Sequence, residues 1–543
     1  MGHRAARRWV ACLALASSSG CAFVFDFPDE VRGVGGGGAG GGAGGAGGGT
    51  CPDPETQPAV TRVHWHGLTQ QAADYDQVTT TGLVRAPGKV FAFGSATAPL
   101  AGLSLASGNE LLGFLVELED DTSVSAAGSV IACDGVDGFS FTGSASWLGG
   151  APVICGAVAA SADGPAAYSL TPGSGNLCPG GSFSVDAAPQ GSSRNPYVAR
   201  LDPAAPQGVV FDFWGAVQAP ALDVAAAESV PLGNGTNGDV VATIGVTNGN
   251  VYDLAGGVTA LQYYLTRYTS GLGLLDRSTV ALGVAADADG FPGTFEHHSG
   301  VAVSDDGSVW MTGLECPSGA SCAGTGKLFV GRWAPGSADV TLLGVTGDPT
   351  NRRSFGSVVR SSTGRIVVGG GREGSLRISG TDLPPTDVGT DAFVVALDPT
   401  TSAVAWAYPP ESGPSFPTSE YEAVVDLAVV AEPGCDGGVV YAVGCITDPL
   451  QNADCLAPID VAAQGPPKRG FLVKLDLATG EEIFARELQQ NEGDGMVLPT
   501  AVAADRTGVW LAADLHGSIT LEPPIGMVAS SAGIDTLVIQ LTP

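Results

Sequence analysis

The chain ends in "DTLVIQLTP", Asp535–Pro543, and just after a Gly-rich opening segment it carries "VTRVHWHGL", Val60–Leu68. Both alternate apolar and polar residues as a half-buried β-strand does. Copies of the terminal stretch occur earlier in the chain, and there each is followed by a partner strand. The last copy has no such successor, and Val60–Leu68 has no neighbour of its own. Pairing the two predicts a fold closed on itself, with the first strand completing the last unit and no sheet edge left open. In this reading Trp65 takes the place that Trp406 holds in the fifth unit.

Two signatures repeat between these ends. One is a strand of the type aromatic-Val-x-x-Leu: "GFLVELE" at Phe114, "PYVARLD" at Tyr197, "YYLTRY" at Tyr264, "LFVGRW" at Phe329, "AFVVALD" at Phe393, "GFLVKLD" at Phe471 and "TLVIQL" at Leu537, spaced 64 to 83 residues apart. The other is a hairpin whose second strand ends in Gly. Its clear copies are "VAVSDDGSVWMTG", "VVRSSTGRIVVGG" and "AVAADRTGVWLAA"; weaker ones are "VRAPGKVFAFG", "IACDGVDGFSFTG", "NGTNGDVVATIG" and "AEPGCDGGVVYAVG". The two signatures alternate, so each unit reads strand, tight turn, strand, loop, aromatic strand, turn, outer strand.

The pairs Asp306-Gly307, Thr363-Gly364 and Thr507-Gly508 place Gly where a positive φ is easiest. Alternation puts Val301, Val303, Val309 and Met311 on one face. Four antiparallel strands repeated seven times predict an all-β, seven-bladed β-propeller over residues 59–543. The alternative is six blades with an irregular insertion, because the first unit is short after Phe114 and the second carries extra chain from about Ser144 to Asn195.

The N-terminus reads as a processing signal. Arg4, Arg7 and Arg8 precede an apolar run from Trp9 to Ala16, then small residues up to Cys21, which describes an export signal over 1–20 rather than a membrane span. Ser17-Ser18-Ser19-Gly20-Cys21 resembles the lipobox of bacterial lipoproteins. The resemblance implies lipid attachment at Cys21, and Ala22 after it implies outer-membrane or surface retention. Residues 21–58, with "GVGGGGAGGGAGGAGGGT", form a flexible tether whose mean reach is about 30 Å.

The units "AFVVALDPTTSAVAWAY" and "GFLVKLDLATGEEIF" resemble the repeat of pyrroloquinoline-quinone-type propellers and the bacterial β-propeller repeat. Ala396, Asp398, Thr401 and Trp406 match, with Ser402 in place of Gly; Asp476, Thr479 and Gly480 match in the next copy, with Lys474 and Phe484 at its ends. The resemblance implies that turn and Trp dock neighbouring blades. The quinone-binding residues have no counterpart, so no cofactor is expected.

Formal charge is −31, from 55 acidic and 24 basic residues. Such a surface repels phosphate backbones and anionic headgroups, which argues against nucleic-acid partners and leaves the lipid anchor as the only membrane contact. Of 11 Cys, Cys12 lies in the signal and Cys21 is the lipid site. In an exported protein, Cys316 with Cys322, Cys445 with Cys455, and Cys155 with Cys178 are candidates for local disulfides, with Cys51, Cys133 and Cys435 left over. His64 and His66, "EHHSG" (Glu296, His297, His298) and "DADGFPG" (Asp287, Asp289) lack a full metal pattern and read as surface and turn residues. No catalytic residues are assigned. The expectation is a tethered binding or scaffold propeller at the cell envelope whose partner is another envelope protein or a glycan. The alternative is an exported hydrolase or lyase acting at the central channel.

Overall fold

The computed structural model describes residues 60–67, 78–96, 112–119, 124–134, 139–159, 167–170, 181–184, 194–200, 209–211, 221–247, 262–280, 299–315, 327–343, 354–362, 364–372, 376–383, 391–409, 421–430, 437–447, 469–488, 496–521, 526–529 and 534–542. Every regular element among them is a strand. The first described strand is β1 (Val60–Gly67). Blade 1 follows as β2 (Val78–Ala86), β3 (Lys89–Ala96), β4 (Leu112–Glu119) and β5 (Val124–Asp134). Blade 2 starts with β6 (Phe139–Leu148) and β7 (Ala151–Ala159); after the short β8 (Ala167–Leu170) and β9 (Gly181–Ser184) it resumes with β10 (Arg194–Arg200) and β11 (Val209–Phe211).

Blade 3 is β12 (Ala221–Pro231), β13 (Asn237–Thr247), β14 (Gln262–Thr269) and β15 (Leu274–Thr279). Blade 4 is β16 (Gly300–Val303), β17 (Val309–Glu315), β18 (Lys327–Trp333) and β19 (Thr341–Leu342). Blade 5 has β20 (Ser354–Ser362), β21 (Arg365–Arg372), a hairpin of β22 (Leu376–Ile378) and β23 (Thr381–Leu383), then β24 (Asp391–Leu397) and β25 (Val404–Tyr408). Blade 6 is β26 (Tyr421–Val430), β27 (Val439–Thr447), β28 (Arg469–Asp476) and β29 (Glu482–Leu488). Blade 7 is β30 (Met496–Asp505), β31 (Gly508–His516), a hairpin of β32 (Ser518–Leu521) and β33 (Gly526–Ala529), and β34 (Asp535–Leu541).

The seventh sheet runs β1-β34-β31-β30. β1 lies antiparallel to β34, with Val60 opposite Leu541, Val63 opposite Ile539 and Gly67 opposite Thr536. The innermost strands β2, β6, β12, β16, β20, β26 and β30 each pack against the next, and β30 packs back on β2. That closed circuit is a seven-bladed β-propeller, and it removes the six-blade alternative.

Two sequence expectations are corrected at the start of the ring. "IACDGVDGFSFTG" is not a hairpin. Its first half belongs to β5, which completes blade 1 by pairing with β4, and only Phe139 onward enters β6. The true hairpin of blade 2 turns at Gly149 and Gly150, both at positive φ (54° and 86°). The inserted chain accordingly begins after Ala159 rather than at Ser144, and its strands β8 and β9 extend the sheet of blade 1 through Cys133 opposite Tyr168. Trp65 is also displaced. It lies opposite Val538, the rung that in blade 5 pairs Val394 with Tyr408, so its counterpart is Tyr408 and not Trp406.

Strand alternation builds the core. Val301, Val303, Val309 and Met311 join Val240, Ala242 and Tyr263 of blade 3 in one buried cluster. Ala302 and Trp310 face the other way, against Ile366, Val368 and Phe393 of blade 5. Every blade thus buries both faces, which a lone sheet cannot do. Similar clusters join blades 1 and 7, 6 and 7, 5 and 6, and 2 and 3. Phe91 and Trp147 stack across the interface of blades 1 and 2, ring centroids 5.5 Å apart.

Turn chemistry follows the expected Gly positions in part. Gly307 (φ 77°) and Gly364 (φ 79°) adopt the left-handed conformation. Gly508 does not. It sits in β31 opposite Asp505, and the two-residue turn is Arg506-Thr507. At the Asp306 turn the carboxylate accepts hydrogen bonds from Ser304 Oγ (2.6 Å), the Ser308 amide (2.9 Å) and Arg332 Nη2 (2.6 Å). Burial raises its pKa, but those hydrogen bonds outweigh the effect and hold it below the ordinary value.

The paired motifs of blades 5 and 6 dock on each other. Asp398 Oδ1 accepts from the amides of Thr400 and Thr401, and Ser402 takes a positive φ of 61° where the next copy has Gly480 at 75°. Trp406 donates its Nε1–H to the Leu477 carbonyl of blade 6 at 2.8 Å. Its ring lies so close over Gly480 that an added Cβ meets ring carbon at 2.6 Å. We therefore expect Gly480→Ala to destabilise the protein by at least about 2 kcal/mol, combining left-handed backbone strain with the clash. Chemical denaturation checks this, and an unchanged midpoint contradicts the docking.

Candidate functional site at the innermost strands

Six of the seven innermost strands are interrupted at the same rung. Register shifts fall between Thr80 and Gly82, Thr142 and Ser144, Ala221 and Asp223, Gly356 and Val358, Val424 and Asp426, and Pro499 and Ala501. In blade 4 the equivalent rung is Gly300, where β16 begins. A bulge takes backbone groups out of the ladder and re-aims side chains. The freed groups must find partners because they are buried.

Two carboxylates stand just past the bulge of their own strand and accept from backbone amides. Asp223 is 7 % exposed; its Oδ1 accepts from the Val224 amide (2.9 Å) and its Oδ2 from the Val301 amide of blade 4 (2.7 Å). Asp426 repeats this three blades on. Its Oδ1 accepts from Leu427 (2.8 Å) and its Oδ2 from the Val502 amide of blade 7 (2.9 Å). Each carboxylate ties its own bulge to the strand after it, across a blade interface where sheets otherwise meet through apolar faces.

Arg360 of blade 5 reaches Asp426 Oδ1 with Nη2 at 2.7 Å and the Leu427 carbonyl with Nε at 3.1 Å. The same guanidinium acts electrostatically on Asp223, which also receives a hydrogen bond from Ser144 of blade 2. Burial pushes both carboxyls above the ordinary aspartate value, and Arg360 and the amide donors offset part of that rise. Side chains from blades 2, 3, 5 and 6 therefore share one polar layer at the bulge rung. Both oxygens of each Asp are spent on the backbone, so what the arrangement does chemically is fix neighbouring blades in register.

A second link joins blade 1 to blade 7. Arg85 Nε meets Asp505 Oδ2 at 2.5 Å, its Nη1 donates to the Lys89 carbonyl at 2.8 Å, and its guanidinium lies 4.0 Å over the Trp510 ring. Towards the other end of β2, the hydroxyls of Thr80 and Thr536 are 2.7 Å apart.

The expected disulfide residues fare unevenly. Cys445, within β27, is disulfide-bonded. Cys155 is corrected: it is a free thiol, fully buried in β7 among Val153, Val198, Val224 and Tyr268, and carries no bridge to Cys178. Burial first, and the nearby Asp223 second, push its thiol well above the ordinary value, which leaves it a packing residue rather than a nucleophile. Cys21, Cys51, Cys178, Cys316, Cys322, Cys435 and Cys455 lie outside the described residues, as do Asp287, Asp289, Glu296, His297 and His298. Of Cys133, His64 and His66 only the backbone is described. Among the described residues, no three His, Cys, Asp or Glu side chains converge as a metal set.

Asp223, Asp426, Arg360 and Ser144 escaped the sequence reading. The available signal was an acid inside an apolar first strand, "ALDVAAA" and "AVVDLAVV", where a buried carboxylate is costly unless it is bonded.

No protein-family profile matches the chain, and neither does any curated protein. Among solved structures, a Trypanosoma rangeli sialidase in complex with the inhibitor DANA is similar at 10 % identity and TM-score 0.35, covering 89 % of this chain and 59 % of that one. A protein of unknown function from Dyadobacter fermentans is similar at 8 % identity and TM-score 0.34, over 88 % of this chain and 99 % of that one. A puromycin hydrolase is similar at 14 % identity and TM-score 0.32, over 86 % and 63 %. This chain thus spans less than two thirds of the sialidase and of the hydrolase. At such scores the likenesses carry no argument about activity; the fold rests on the strand pairings themselves.

Proposed function

We propose that the protein is a tethered binding or scaffold propeller of the cell envelope, held to an outer-membrane surface by a lipid on Cys21 and presenting its ring to another envelope protein or a glycan. The observation that supports this most is where the chain enters the ring. Val60, the first residue of β1, faces Leu541, and Leu541 faces Val509 just after the Arg506-Thr507 turn. β1 therefore begins at the rim of blade 7 on the side of the short hairpin turns, among them Pro87-Gly88, Gly149-Gly150 and Asp305 to Gly307. On the opposite side of the ring second strands end and third strands begin.

The innermost polar layer supports the same reading, because its carboxylates and guanidinium are engaged in holding blades together. Propellers assemble broad surfaces from chain contributed by every blade, which suits macromolecular binding. The test is capture of partners from envelope fractions with the tethered protein, alongside a Cys21→Ser variant. The wild type is expected in the membrane fraction with a captured partner, and the variant in the soluble fraction. A variant that stays with the membrane overturns the lipid anchor, and failure of both forms to retain any envelope component overturns the binding role.

A further inference from the structure

Between β12 and β13 the chain turns through Leu232-Gly233-Asn234-Gly235-Thr236, closed by the Leu232 amide on the Thr236 carbonyl at 3.0 Å. Gly233 and Gly235 both take positive φ (86° and 84°), and residues 233–237 are all exposed. The turn lies close against blade 4, where a Cβ on Gly233 would meet the Gly336 amide nitrogen at 2.7 Å. Asn234 thus stands in solvent on a fixed turn.

Asn234-Gly235-Thr236 fits Asn-x-Ser/Thr with x other than Pro, the acceptor pattern for sugar attachment to Asn in exported proteins. No other Asn in the sequence begins that triplet. Asn234 Oδ1 accepts from the Thr236 amide at 3.0 Å and from the Thr236 hydroxyl at 2.6 Å. The side-chain oxygen is therefore engaged, and among the described residues no group hydrogen-bonds to Nδ2. An amide nitrogen is a poor nucleophile because it shares its lone pair with the carbonyl. Two donors on Oδ1 pull charge onto the oxygen and acidify the Nδ2–H, so a base removes that proton more easily. A hydroxyl residue in the third position supplies both donors at once. Asn237-Gly238-Asp239, at the start of β13, lacks that hydroxyl, and its Asp239 Oδ1 accepts from the Ser229 amide instead.

We infer that Asn234 is a glycosylation site, its Nδ2 taking an oligosaccharide from a lipid-linked diphosphate donor. The new bond joins Nδ2 to the anomeric carbon as the bond from that carbon to the phosphate oxygen breaks. The Nδ2 proton passes to a base of the transferase, and the lipid diphosphate leaves. The inference rests on the exported reading given above, because a cytosolic chain does not meet such a donor. It also places the sugar on the side of the short hairpin turns, since Gly307 of the blade 4 turn lies against the Pro231 carbonyl.

The experiment purifies the full-length protein from envelope fractions of its native host and maps its peptides by mass spectrometry. Asn234→Gln, Thr236→Ser and Thr236→Val are treated alike. A glycan mass is expected on the Asn234 peptide of wild type and of Thr236→Ser, absent from Asn234→Gln, and at least several-fold less abundant in Thr236→Val. Wild-type protein found in the envelope with Asn234 unmodified overturns the inference and leaves the location standing; this arm needs no variant to fold. Protein found only in the cytosol overturns both. Undiminished occupancy in Thr236→Val overturns the part assigned to the hydroxyl.

Discussion

Removing residues 59–68 yields a protein that is insoluble, or that protease digests many times faster than the intact chain. The deletion strips β1 from β34 and exposes the edge carrying Leu537, Ile539 and Leu541, all buried in the closed ring. Six rungs of pairing are lost. At a net contribution of about 0.5–1.5 kcal/mol per hydrogen bond, this alone approaches the few kcal/mol by which a domain is stable. An uncovered apolar edge is also a template for aggregation. Limited proteolysis and the soluble fraction after expression report the outcome. Unchanged solubility and an unchanged cleavage rate contradict the closure.

Asp426→Ala lowers stability by about 3–5 kcal/mol, the range for breaking a buried, hydrogen-bonded charge pair. The change leaves the Leu427 and Val502 amides and the Arg360 guanidinium without the acceptor that now serves all three. Asp426→Asn keeps one carbonyl oxygen for an amide and is expected to lose markedly less. Denaturant midpoints of the two variants against wild type decide the matter. Equal and small losses in both would mean that the carboxylate does not bind blade 6 to blade 7.

Much of this architecture was legible because a propeller writes its period into the chain. Phe329, Phe393 and Phe471 recur at one position of the third strand, and Val301 to Met311 alternate cleanly. The ends were legible because Val60–Leu68 and Asp535–Pro543 share that pattern. The failures have physical causes. Ile131 to Phe141 alternates across an outer strand and the next inner strand, which imitates a hairpin, while the Gly149-Gly150 turn falls outside the pattern that defines the other copies. Trp65 and Trp406 share the alternation of their strands, but two register shifts in β1 carry Trp65 to a different rung.

Cys155 and Cys178 both fall in the extra chain of the second unit as the sequence shows it, whereas burial between blades 2 and 3 is what the Cys155 side chain serves. The Asp223 and Asp426 links are three blades apart and depend on bulges, which periodicity does not record. Ser402 matched a Gly position by sequence, and its positive φ shows that the turn imposes its conformation even on a residue with a side chain.

The most direct measurement joins head to tail within one molecule. Val63 and Ile539 are paired across β1 and β34, and facing strand residues sit within the span a disulfide bridges. Carrying Val63→Cys and Ile539→Cys together, the dilute monomer should form that bridge in high yield on mild oxidation, with the linked peptides found by mass spectrometry and the folded signal retained. A double variant that leaves both thiols reduced under conditions that oxidise exposed cysteines would show the two strands apart, and the ring as described would be wrong.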